Sequence, residues 1–415
     1  MNSDKRKLAV NTGYLYLLTF SSFILGFITI PYQTRVLGPE VFGILGFAAA
    51  FQQYFSILID FGFMLSATRL VTEHRDDKKY LGKLLTSVCV AKNILSLISL
   101  SICIGLSLFV ERIMSHIYVI LCYWLLTTLT CLTPDFVYRG LENMKIVTLR
   151  SVAVRLVFTL LIFVFLRKPE DYLMVPIFSA FGVLLSLGYI YWDLKEKQHI
   201  TFQKTTVKDI FNCMKDSSQY FLSRIASTVY GATNALIIGL IYPTTTMLGY
   251  YTTAMKFKTM ATQGCTPIAD SLYPYMIRTR DYHSLYKIVA YIEVIIIFGC
   301  VIMGIFAKPI CIFIFGAEYE YVGHVLLFIL PCIMLVLPNY IFGFPALTPI
   351  NQQKWANWSV EVAMGVQLIG IMILWLMKSL NVVNICCLTC LSEFIVFVIR
   401  FIVFTKNRKQ FNLHK

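Results

Sequence analysis

Charge is what this chain has least of. Asp, Glu, Lys and Arg make up 14% of its 415 residues, where an average soluble domain carries about 25%. Several signatures of chemistry are missing as well. No GxxxxGK[ST] phosphate loop occurs, so no P-loop drives the chain. The six histidines lie scattered at His74, His116, His199, His283, His324 and His414. They show no HExxH or paired spacing, so no metal or prosthetic cofactor is expected. No outer loop exceeds roughly 15 residues, the scale of an ordinary connection, which excludes an extracytoplasmic catalytic domain. The chain reads as a protein that moves something, not as an enzyme.

Cysteine is present twelve times, but largely inside apolar runs, as with Cys103, Cys122, Cys131, Cys300 and Cys311. These read as small buried hydrophobes, not as the disulfide framework of a secreted domain. Cys387-Leu-Thr-Cys390 has no histidine or second pair nearby and reads as neither a metal site nor a redox site.

What the chain has in abundance is apolar surface: 58% of residues are hydrophobic and the mean hydropathy is +0.71. A spanning helix needs about 20 apolar residues, so about twelve spans would use nearly all of this content. Apolar runs fall at about 11–31, 42–70, 83–110, 117–138, 151–166 and 172–192. They resume at about 220–241, 247–276, 288–307, 322–343, 358–377 and 383–404. Helices are the reading for each, because backbone polar groups must be satisfied internally in lipid and the alternating segments of a barrel are absent. The first run follows Lys5-Arg6-Lys7, yet it is longer than a signal-peptide core and lacks an Ala-x-Ala site. It reads as a retained span.

The net charge of +14 is first a topology signal. Basic residues cluster in alternate loops: Lys5 to Lys7, Arg75 to Lys83, Lys145 with Arg150, Lys195 to Lys215, Arg278 to Lys287, and Lys406 to Lys415. This places both termini in the cytoplasm with an even number of spans. No dense basic stripe exists, so nucleic acid is not an expected partner. The longest polar interval, 193–219, divides the chain into a six-helix lobe at 1–192 and another at 220–415. Residues 40–51 align with 246–257, matching Gly43 to Gly249, Ala48 to Ala254 and Phe51 to Phe257. The matching topology of the halves implies a parallel repeat of the kind many transporters contain.

Ionisable groups within spans cost about 2.5–3.5 kcal/mol each on insertion scales, so each needs a protein or water neighbour. The cations are Arg35, Arg69, Lys92, Arg155, Arg224, Lys256 and Lys258. The anions are Asp60, Asp135, Asp270, Glu293, Glu361 and Glu393. Arg400 is expected to snorkel toward headgroups, and Arg155 could do the same. Lys92 and Lys256 lie too deep for that. They are read as lining a water-filled passage, with pairing to a carboxylate as the alternative. Lys256 and Lys258 cannot share a helix face, and Lys256 is the one assigned inward. Asp60 and Asp270 are candidate ion-pair partners or sites for a coupling H⁺ or Na⁺. Pro31 is expected to end the first helix, Gly38-Pro39 to turn into the second, and Pro267 and Pro274 to interrupt the eighth, with Pro331, Pro338 and Pro345 recurring in the tenth.

The stretch Pro31-Tyr-Gln-Thr-Arg-Val-Leu-Gly-Pro-Glu-Val-Phe-Gly43, then Ile59-Asp-Phe-Gly62 and Ser66-Ala-Thr-Arg69, resembles the Wzx-type oligosaccharide flippases. These form the polysaccharide-transporter branch of the MATE-like (MOP) superfamily. Phe221-Leu-Ser-Arg224, Gly249-Tyr-Tyr-Thr-Thr-Ala-Met-Lys256 and Leu272-Tyr-Pro274 are similar in the second half. The resemblance implies an all-α integral membrane fold of two six-helix lobes arranged as a V around a cationic cavity. It implies a flippase that carries undecaprenyl-diphosphate-linked oligosaccharide, such as an O-antigen unit, from the cytoplasmic to the periplasmic leaflet of the bacterial inner membrane. Arg35, Asp60, Arg69, Arg224 and Lys256 are then favoured as cavity residues. A polysaccharide polymerase is the protein partner such a pathway would supply. A multidrug antiporter of the same fold is the alternative, disfavoured by the surplus of Lys and Arg.

Overall fold

The computed structural model describes residues 3–408, and for residues 3–12, 15, 222, 223, 226 and 227 it describes the backbone only. The side chains of Lys5, Arg6 and Lys7, and residues Lys409, His414 and Lys415, lie outside the described set. Every regular element among the described residues is helical. The chain divides into two compact units, Met1–Leu37 with Ile44–Thr228, and Gly38–Gly43 with Val229–Lys415. The polar interval 193–219 thus belongs to the first unit, and the division falls inside a helix.

The first unit holds most of α1 (Ser3–Asp60), α2 (Phe63–Glu73), α3 (Lys78–Phe109) and the short α4 (Glu111–Ser115). It continues with α5 (Ile117–Cys131), α6 (Asp135–Gly140), α7 (Met144–Phe165), α8 (Met174–Glu196) and the first part of α9 (Val207–Ile241). The second unit holds the rest of α9, α10 (Thr246–Thr279), α11 (Tyr282–Ile305), α12 (Ala307–Phe315) and α13 (Glu320–Met334). After these come α14 (Val336–Ile341), α15 (Phe344–Leu347), α16 (Lys354–Leu376) and α17 (Val382–Asn407).

Nine helical segments among the described residues are long and apolar enough to cross a membrane, the first being the 58 residues Tyr16–Glu73. That first segment is two traverses, because α1 bends at Gly38, where φ is 70° and ψ 168°. This is backbone that glycine adopts without a Cβ penalty. The helices α9 and α10, 35 and 34 residues long, each extend about 50 Å at 1.5 Å per residue. Counting these, the described residues contain twelve helical segments of spanning length, the number the apolar runs imply.

The prolines behave differently from the reading above. Pro31 does not end the first helix, which runs on to the bend at Gly38. Pro267 and Pro274 sit inside an unbroken α10. Membrane helices tolerate proline where neighbours re-satisfy the freed backbone groups, whereas a positive φ leaves the helix altogether. Only the stretch from Pro331 onward breaks up, into the short α14 and α15.

Each unit has its own apolar core. In the first, Phe63, Val71, Leu85, Phe136, Tyr138 and Ile190 pack together. In the second, Leu272, Met276, Leu337, Phe342 and Phe404 do so. Lipid tails are as apolar as these side chains, so helix association rests on close packing rather than on expelling water. The repeat-matched glycines show the closeness: a Cβ on Gly43 would meet the Thr245 carbonyl, and one on Gly249 would meet that of Pro39. The outward faces remain apolar, as Tyr291, Ile295, Phe298 and Ile305 of α11 illustrate.

Candidate functional site

Asp60 closes α1, and Phe61 and Gly62 follow with φ of 45° and 81°, turning the chain into α2. A carboxylate at a helix C-terminus faces the negative end of the dipole, and a buried one needs cations beside it. Asp60 has two. Lys92 of α3 places its Nζ 3.4 Å from Oδ1, and Arg224 of α9 donates from Nη1 to Oδ2. Lys92 also donates to the Cys131 carbonyl at the end of α5, at 2.7 Å, and lies 5.9 Å from the centroid of the Phe136 ring. Lys92 is 1% exposed and Asp60 7%, while the Arg224 side chain is 41% exposed. Two cations on one anion leave the cluster net positive, and its accessible edge is the guanidinium.

The sequence around Asp60 explains how Arg224 reaches it. With no side chain at Gly62, α9 can approach the α1–α2 joint, for a Cβ there would lie 2.8 Å from the Ser217 carbonyl oxygen and from Tyr220 Cβ. The hydroxyls of Ser66 and Ser217 are 2.6 Å apart, and the rings of Phe61 and Phe221 stack at 4.4 Å. These contacts fix the first half of α9 and with it the height of Arg224.

The remaining candidates are placed differently. Arg35 is exposed. Arg69 is exposed as well, with Glu73 one turn on at 3.7 Å. Lys256 is half-buried and has no hydrogen-bond or ion-pair partner among the described residues. Lys258, about 200° around the same helix, turns to Glu393 at 2.6 Å, which Asn339 also bonds at 2.7 Å. Asp270 is exposed.

Two expectations are revised by these contacts. The charge of Lys92 faces Asp60 and a backbone carbonyl rather than open space. Arg400 does not snorkel: it donates to the Ser359 hydroxyl at 2.8 Å, to the Ala356 carbonyl at 2.8 Å and to the Asn339 carbonyl. Three good acceptors inside the bundle replace the headgroup region. A further feature escaped the sequence reading because it carries no charge. Asn234, Gln367, Ser392 and Thr389 are all buried and form a chain of bonds in the second unit, each between 2.8 and 2.9 Å. Amides within otherwise apolar runs were the available signal.

Helices long and apolar enough to cross a membrane define the class first: an integral membrane protein. A family described as polysaccharide biosynthesis protein matches residues 8–280, and the chain belongs to that family. It is 24% identical over 361 residues to a putative O-antigen transporter of Escherichia coli (strain K12), covering 85% of this chain and 86% of that protein. To a putative O-antigen transporter of Shigella dysenteriae it is 25% identical, covering 83% and 87%. Among solved structures, the lipid II flippase MurJ in an inward closed conformation matches with a TM-score of 0.74 at 15% identity, over 96% of this chain and 90% of that one. An inward-facing multidrug resistance MATE transporter of the MOP superfamily matches at 0.68 and 14%, over 96% and 98%. At such identities the structures show the fold alone, and it is the all-α MATE-like fold that the resemblance implied.

Proposed function

We propose that this protein is a flippase for undecaprenyl-diphosphate-linked oligosaccharide, an O-antigen or related surface-polysaccharide unit. It moves that unit from the cytoplasmic to the periplasmic leaflet of the bacterial inner membrane and does no catalysis of its own. The family match over most of the chain, extended by near full-length similarity to O-antigen transporters, carries this reading. The basic loops support cytoplasmic termini. A polysaccharide polymerase is the proposed protein partner.

The physics of the cargo explains the residues. A sugar headgroup with two phosphates cannot cross about 30 Å of hydrocarbon unaided, since each polar group would lose its hydration. A water-filled cationic passage supplies substitute solvation, while the polyprenyl chain stays in lipid. Arg224, Lys256, Arg35 and Arg69 are the cations proposed to meet the diphosphate. Lys92 holds Asp60 in place. Protonation of Asp60 or Na⁺ binding there would loosen or replace the Arg224 contact, and Asp60 and Asp270 are the groups proposed to couple such an ion to alternating access.

The test is to replace Arg224 by Gln together with Lys256 by Ala in cells that depend on this protein for surface polysaccharide. The lipid-linked unit should still be made but remain on the cytoplasmic face, as in cells lacking the protein. Wild-type appearance on the outer face would reject the cationic-site reading. Efflux of a cationic dye by the wild-type protein would instead favour the antiporter reading.

A further inference from the structure

A cavity of about 710 Å³ lies within the first unit, between α7 and α8. None of the residues discussed above lines it apart from Lys145 and Arg150, which entered only as topology markers. One end is basic, with Lys145, Arg150 and Lys197, and the walls are apolar, with Leu149, Val157 and Leu185. Leu149, Val157 and Leu185 are all exposed, so the cavity opens onto the surface that hydrocarbon covers.

Arg150 is the informative group. Its side chain is 9% exposed, and Nη2 donates to Asp135 Oδ2 at 2.9 Å. Its Nη1 is buried and has no hydrogen-bond partner. Asp135 Oδ1 is likewise buried and unpartnered, so the pair meets through one bond instead of a fork and the second guanidinium nitrogen keeps a donor for an anion. Lys145 and Lys197 at the same mouth are exposed, and Lys197 pairs with Asp193 at 3.3 Å. Three cations against Asp135 and Asp193 leave a single positive charge at the mouth.

We propose that this cavity is a binding site for an anionic glycerophospholipid. The phosphodiester meets Arg150 and Lys145, and an acyl chain lies along Leu149, Val157 and Leu185. Charge complementarity selects this occupant: one surplus positive charge matches the single negative charge of a phosphodiester, whereas a polyprenyl diphosphate brings at least two. None of the residues proposed above to meet the cargo lines this cavity.

Native mass spectrometry of the purified full-length protein, titrated with phosphatidylglycerol, phosphatidylcholine or undecaprenyl diphosphate, tests this without any transport readout. Wild-type protein should retain phosphatidylglycerol about tenfold more tightly than phosphatidylcholine. Lys145→Gln with Lys197→Gln, both at exposed positions, should remove most of that preference, and Leu185→Trp should block retention by filling the wall. Arg150→Lys keeps the charge beside Asp135 and should weaken binding by losing the fork. Equal retention of the two phospholipids by wild-type protein would overturn the proposal. So would unchanged binding in both the Lys145/Lys197 and Leu185 variants. Displacement of phosphatidylglycerol by equimolar undecaprenyl diphosphate would assign the cavity to the cargo and also overturn it.

Discussion

The two units bury polarity in opposite ways. The first concentrates charge, with Asp60 held by Lys92 and Arg224 at the end of a helix. The second spreads much of its polarity through uncharged amides and hydroxyls from Asn234 to Thr389, pairs Lys258 with Glu393, and holds Arg400 on a hydroxyl and two carbonyls. A neutral network has one satisfied state, because every partner keeps its donors and acceptors at any pH near neutrality. A carboxylate shared by two cations has two. Held by both cations it is fully paired, and an anion competing for the more exposed Arg224 would leave it on Lys92 alone. The first unit therefore holds a buried charge whose partners can be exchanged, a feature the neutral network lacks.

The sharpest way to break this comparison is Asp60→Asn. The buried ammonium of Lys92 then loses its counter-charge, and stranding one member of a buried pair costs about 3–5 kcal/mol. Thermal unfolding of the detergent-solubilised variant should show the largest loss of any single polar substitution here. Asp60→Asn with Lys92→Met should recover much of that loss, since no buried charge remains. In the second unit, Gln367→Leu breaks the neutral network and leaves Asn234 Oδ1 and Ser392 Oγ short of a partner, at about 2 kcal/mol. If Gln367→Leu proves as damaging as Asp60→Asn, the contrast between charged and neutral polarity fails. Arg224→Gln should change stability by less than about 1 kcal/mol, because its side chain is 41% exposed and the contact is screened accordingly. A large shift in that variant would mean that the guanidinium, not Lys92, is the principal partner of Asp60.

The number of traverses and the helical fold were legible because hydrophobic runs of spanning length admit little else in lipid. The identity of the charged residues was legible too, since charges in apolar runs stand out. Their pairing was not. Lys92 and Asp60 are 32 positions apart in sequence, and nothing local says that α3 passes the end of α1. Lys256 and Lys258 could be separated by helical geometry, but which of them turned to a carboxylate depended on Glu393, far along the chain. Arg400 was misread for the same reason: its three acceptors come from α14 and α16, and a position near a span end suggested headgroups instead. The proline positions misled because a missing backbone donor weakens a helix without ending it. Gly38 ended one because its backbone left helical space.

The smallest effects lie outside the spans, where both units use the same device. Asp171 accepts from the backbone amides of Arg167 and Lys168, each at 3.0 Å, and these hold its carboxyl below the usual carboxylate range. Asp281 caps α11 by accepting from the Ser284 hydroxyl and backbone amide, which likewise lower it. A carboxyl lowered on folding contributes stability that is fully present above its unfolded value, near about 3.9, and is lost as pH falls through the lower folded value. Neither group should therefore make stability vary between pH 5 and 8, and both should weaken the fold only in stronger acid. Melting temperatures recorded as the pH is lowered should show this late loss in wild-type protein, and Asp171→Asn and Asp281→Asn should each reduce it by a similar small amount. A change confined to one variant would show that acid opens the two units in sequence, and would extend their difference from the buried clusters to the loops.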